Sequence, residues 1–105
     1  MAERELVGHT LVLLRRPPDA PDLPEDQLDA IQTAHLAHLD ALRAAGSLLV
    51  SGPVTDQPDE SLRGLAILTL GLEEARAATS QDPAVKARRL VADVMTWRTP
   101  LGDLP

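Results

Sequence analysis

The chain has 105 residues, 44% of them apolar, and a formal net charge of −6. That length fits one domain and that apolar share supports a core. The acidic balance argues against nucleic acid, because no basic face exists to neutralise phosphates. With no cysteine in the chain, disulfides, thiol chemistry and cysteine-type zinc sites are excluded. There is one Trp and neither Phe nor Tyr, so the core must be built from Leu, Val, Ala and Ile. Smaller side chains bury less area each, and part of the stability is expected from a partner surface. The start Met1-Ala2-Glu3-Arg4-Glu5 is charged, with no apolar run behind it, and does not read as a secretory signal. No segment approaches the roughly 20 apolar residues of a membrane span. A cytoplasmic protein without membrane contact is expected.

Residues 9–14 (HTLVLL) are apolar and rich in β-formers, and predict the first strand. Arg15-Arg16-Pro17-Pro18 ends it, because proline removes a ladder donor and restricts the residue before it. The arginine pairs at 15–16 and 88–89 are too short to form a patch. Residues 19–24, with two more prolines, predict a loop. The first helix starts near Pro24 and Glu25, where proline suits the first turn and acids complement the dipole. Leu28, Ile31, His35, Leu39 and Leu42 recur at spacings of three and four, which is one face of a helix. Leu36 widens that stripe, and Gly46 is a natural stop.

Residues 47–50 predict the second strand, broken by Ser51-Gly52-Pro53. Residues 55–63 (TDQPDESLR) read as a polar hairpin loop in which Asp56, Asp59 and Glu60 are solvated. Residues 64–70 (GLAILTL) predict the third strand. Residues 72–79 predict a short helix with Glu73 and Glu74 at its positive end. Asp82-Pro83 is a cap followed by a first-turn proline, with one or two turns over 84–89. Residues 90–97 (LVADVMTW) predict the fourth strand, and the tail after Pro100 is expected to be loose.

The order β-α-β-β-α-β is that of the ferredoxin-like split unit: an α+β fold with a four-stranded antiparallel sheet and helices on one face. The strands are nearly continuous apolar runs, which suggests burial on both faces. A homodimer with sheets facing one another, most simply with twofold symmetry, would satisfy that.

These residues resemble the YCII (YciI-like) family, small proteins of the dimeric α/β-barrel superfamily. The matching pieces are His35-Leu36-x-x-Leu39-x-x-Leu42-x-x-x-Gly46, then Leu48-Leu49-Val50-Ser51-Gly52-Pro53. Gly64 with its strand, Leu72-Glu73-Glu74-Ala75, Asp82-Pro83 and a last strand ending near Trp97 follow in order. The match spans nearly the whole chain, read as one YCII-like domain over residues 1–105. The resemblance implies a site formed by a histidine on the first helix and the aspartate of the Asp-Pro step, here His35 and Asp82. Two residues depart from the family pattern. Ala84 stands where an aromatic usually follows Asp-Pro, and Ala78 or a neighbour stands where the second helix often carries tryptophan. Both make the pocket wall smaller.

A histidine beside an aspartate has a fixed tautomer and can move a proton near neutral pH. Proton transfer beside a carbonyl, a lactone ring or a halide needs little more than such a pair in a dry pocket. His35 is therefore the candidate general acid/base and Asp82 its orienting partner. The competing reading is a buried histidine that is simply hydrogen-bonded. Ser51, Gly52 and Pro53 are candidate substrate-binding residues at a strand end, where glycine allows close approach; ordinary turn chemistry is the competing reading. No G-x-S-x-G elbow surrounds Ser51, and no dinucleotide or phosphate loop is present, so no cofactor is expected. His38, His9 and Asp40 do not make a metal-ligand pattern, and His38 is expected at the rim or in solvent. Asp93, amid an apolar strand, is either a second pocket acid or the partner of an arginine such as Arg63 or Arg98. Trp97 is either a pocket cap or an interface anchor. The sequence thus points to a cofactor-free lyase or isomerase acting on a small molecule. The alternative is a non-catalytic dimeric module that binds a small molecule or a protein.

Overall fold

The computed structural model describes residues 4–104. Met1 to Glu3, part of the charged start considered above, lie outside the described residues. The elements are β1 (Leu6–Arg15), α1 (Glu25–Ala44), β2 (Leu48–Pro53), β3 (Leu62–Leu68), α2 (Leu72–Ser80), α3 (Pro83–Lys86) and β4 (Val91–Pro100). The four strands form one antiparallel sheet in the order β2-β3-β1-β4. This is the expected ferredoxin-like α+β arrangement.

Strand alternation divides the sheet into two faces. Thr10, Val12 and Leu14 of β1 are buried opposite Leu68, Ala66 and Gly64 of β3. This face meets the helices. Val12, Leu14, Leu48, Ala66, Leu68 and Ala75 form the core, with Leu39, Leu42, Leu90 and Val94 packed against it. The core is aliphatic, as the composition required. On the other face stand Leu65, Val91, Met95 and Trp97, each between 36 and 46% exposed, with the half-buried Leu11 and Leu13 between them. No helix covers this face among the described residues.

Helix α1 starts after Pro24 with Glu25 and Asp26 in its first turn. It ends at Gly46, whose φ of +76° is the left-handed conformation glycine accepts most readily. The Ser47 N–H donates to the Leu42 carbonyl and the Gly46 N–H to the Arg43 carbonyl, at 2.9 and 3.0 Å. These two bonds make a Schellman cap.

The strand ends differ from the sequence expectation. β1 begins at Leu6 because β4 continues alongside it as far as Pro100, opposite Leu6. β2 does not break at Ser51-Gly52-Pro53 but runs through to Pro53. It is an edge strand, and an edge tolerates a residue without an N–H. β3 starts at Leu62, two residues early, and stops at Leu68. The segment after Pro100 is not loose: the Leu101 N–H donates to the Glu5 carbonyl at 2.8 Å, and Arg4 pairs with Asp103 at 2.9 Å.

Candidate functional site

His35 is the only buried residue of α1. The helix stripe aims it at the turn before α3, where Asp82 is the N-cap residue. Asp82 Oδ1 accepts the Ala84 N–H at 2.9 Å, which satisfies one of the open donors of that short helix. Its second oxygen, Oδ2, lies 2.6 Å from His35 Nδ1. Both residues are buried, at 8% and 3% exposure. Two polar groups out of water are costly unless paired, and each has its partner in the other. An ionised carboxylate only accepts, so this contact assigns the ring hydrogen to Nδ1. His35 Nε2 has no hydrogen-bond partner among the described residues, and the ring lines a cleft of about 690 Å³ between α1 and the ends of β1, β2 and β3. That volume lies in the range of small-molecule sites.

Leu28, Ile31, Leu36 and Leu39 of α1 form the apolar wall of this cleft, and Ala84 lines it as well. Ser51, Gly52 and Pro53 all line it. The Ser51 hydroxyl oxygen accepts from Arg43 at 3.1 Å, and Arg43 also pairs with Asp40 at 2.9 Å.

Other expectations are corrected. Asp93 is not a pocket acid: it pairs with an arginine, as the second reading had it, but with Arg15 rather than Arg63 or Arg98. It accepts from Arg15 Nε at 3.1 Å on the sheet face away from the helices. The register explains this: Arg15 stands opposite Val91, so Asp93 is its diagonal neighbour on the same face. Trp97 lies opposite His9 on that same open face and does not line the cleft. His38 is half-buried rather than exposed, with its Nε2 buried and unpartnered among the described residues.

The arginines of the cleft were not legible as site residues. Arg16, Arg43, Arg63 and Arg89 all line it. One signal was present: Arg43 lies eight residues after His35, on the same helix face.

A YCII-related domain profile matches residues 10–98. The chain belongs to the YCII-related family. Among curated proteins the comparison finds no match. Among solved structures, this YCII chain is similar to the 5-chloro-2-hydroxyhydroquinone dehydrochlorinase TftG of Burkholderia phenoliruptrix AC1100, in complex with 2,5-dihydroxybenzoquinone. The identity is 23% and the TM-score 0.61, over 85% of this chain and 92% of that one. The likeness is one of fold. Among the described residues, no helix is long and apolar enough to cross a membrane.

Proposed function

We propose that this protein is a cofactor-free lyase or isomerase in which His35 moves a proton on a small organic molecule and Asp82 orients its ring. The observation that supports this most is the buried 2.6 Å contact at the wall of a cleft. With its hydrogen on Nδ1, the ring takes a substrate proton at Nε2, and the imidazolium that results sits beside the Asp82 carboxylate. Returning that proton to another carbon completes an isomerisation. Departure of a leaving group with its electron pair completes an elimination. Neither needs a protein nucleophile. Ser51, Gly52 and Pro53 border the bound molecule.

The functional unit is a homodimer closed through the open sheet face. Leu65, Met95 and Trp97 supply its apolar centre, and an exposed apolar sheet face marks an interaction surface. Twofold pairing of identical faces is the simplest closure.

A second reading is favoured by the other bond of Asp82. Because the same carboxylate caps α3, the pair also fastens α1 to α3, and a non-catalytic module would need it for that alone. The compounds named for the structural neighbour separate the two. Chloride release from 5-chloro-2-hydroxyhydroquinone and binding of 2,5-dihydroxybenzoquinone are measured for the wild type and for His35→Gln. Under the enzyme reading the wild type turns over and the variant loses about a hundredfold or more in rate. Binding by both proteins without turnover by either would leave the module reading in place.

A further inference from the structure

The cleft beside His35 holds more positive charge than its neighbours neutralise. Four arginines line it against two aspartates, Asp29 and Asp40, in a chain whose net charge is −6. Arg43 is taken up by Asp40. Arg16, Arg63 and Arg89 have no carboxylate within 4.0 Å among the described residues. Among the described residues, Arg63 and Arg89 donate only to backbone carbonyls, those of Glu60 and Pro21. Local backbone geometry gathers them. Arg15 and Arg16 are adjacent, yet Arg15 goes to the open face with Asp93 while Arg16, past the strand end, turns to the cleft. Arg88, at a left-handed φ of +62°, pairs with Asp19 at 3.6 Å, while its neighbour Arg89 lines the cleft.

Like charges held together without counter-charges oppose folding. Partial burial, then the like charges of Arg63 and Arg89, hold the Arg16 guanidinium below its usual range. It stays protonated at neutral pH, and a bound anion would relieve the repulsion. A planar guanidinium matches the two oxygens of a carboxylate or of a delocalised enolate.

From this, and resting on the reading that the cleft receives the ligand, we infer that the site selects a small organic carboxylate or enolate anion. Arg16, Arg63 and Arg89 hold its charged oxygens, and its apolar body lies along Leu28, Ile31 and Leu36 near His35. The arginines bind and orient; they take no proton.

The test uses the sodium salts of benzoate, 2-hydroxybenzoate and maleate, with the neutral amides of the same three acids, titrated against the full chain by calorimetry and by ring-proton shifts of His35. At least one anion is expected to bind about tenfold or more tighter than its amide. Arg16→Gln and Arg63→Gln are each expected to remove about tenfold of that preference, the worth of one hydrogen bond between charged groups. Arg76→Gln, remote from the cleft, is expected to leave it unchanged. The preference should shrink as sodium chloride is raised. In thermal unfolding without ligand, Arg16→Gln should hold or raise the midpoint, which separates lost binding from lost folding. No preference for any anion over its amide, or a preference that survives both arginine variants, overturns the proposal. His35→Gln separates this inference from the catalytic one: it should cut turnover about a hundredfold or more yet keep the charge preference, so failure of either reading shows independently.

Discussion

Asp82 does two jobs with two oxygens, one for the Ala84 N–H and one for His35. Substitutions can divide them. In Asp82→Asn the side-chain oxygen still caps α3, but the amide donates toward Nδ1 and forces the ring hydrogen onto Nε2. The expected result is near-wild-type unfolding with the His35 ring nitrogens exchanged in ¹⁵N shift, and with the proton-accepting position lost. In Asp82→Ala both bonds go. The lost cap costs about 1 kcal/mol, and the stranded His35 nitrogen a further 1–3 kcal/mol or so, measured by denaturant unfolding. At the opposite end of the burial scale, Asp59 lies in the exposed loop before β3. Bonds from the Ser61 hydroxyl and then its N–H hold the Asp59 carboxyl below the ordinary range. A depressed folded pKa gives stability that is present above the unfolded pKa and is lost as pH falls through the folded one. The midpoint difference between wild type and Asp59→Ala should therefore be largest near neutrality and close on the acid side. Thermal unfolding across pH measures this.

At the scale of elements, two helices end in the same bonded cap with different residues at its left-handed position. α1 uses Gly46; α3 uses Arg88, with the Arg89 N–H donating to the Ala84 carbonyl and the Arg88 N–H to that of Val85. A Cβ at Gly46 would meet nothing within 4 Å, so Gly46→Ala carries a purely conformational cost of about 1 kcal/mol. Arg88→Gly should have the opposite sign, a gain of roughly 0.5–1 kcal/mol, since the Arg88–Asp19 pair it removes is exposed at both ends and contributes little. Chemical denaturation of both variants checks the pair of signs. Helix α1 was legible in outline because its stripe has the helical period and its stop is a glycine. Strand β2 runs past the break expected at Ser51-Gly52-Pro53 because a proline tells against a central strand but not against an edge. Which strand lies at an edge is a property of sheet order, not of local sequence. The Arg15–Asp93 pair was hidden for a related reason: it depends on the register between strands far apart in the chain.

Across the whole molecule, the radius of gyration is 15.1 Å and the longest extent 56 Å, whereas about 13 Å is typical of a domain this size. The β1–β4 pair is long, and one sheet face is left open. Trp97, the single tryptophan, stands 44% exposed on that face. It is thus a built-in reporter of the proposed dimer. Dilution should shift its emission to the red as the face becomes wet, and sedimentation should show mass falling from dimer to monomer in step. Leu65→Glu is expected to favour the monomer at every concentration, because it places a charge in the middle of the apolar patch. A tryptophan emission independent of concentration, with monomer mass throughout, would remove the dimer from the proposal.

Features that depend on neighbours along the chain can be read from the residues alone. The helical stripe bearing His35, the Asp-Pro cap at Asp82, the aliphatic core and the order of elements all follow from periodicity, capping and composition. Which distant groups meet depends on how the elements pack. The 2.6 Å contact of His35 with Asp82, expected from family resemblance, required α1 and α3 to pack together. The gathering of Arg16, Arg63 and Arg89 had no local signature at all. A side chain's direction changes with a single residue of register or one left-handed φ, so adjacent arginines part company while arginines tens of residues apart share one cleft.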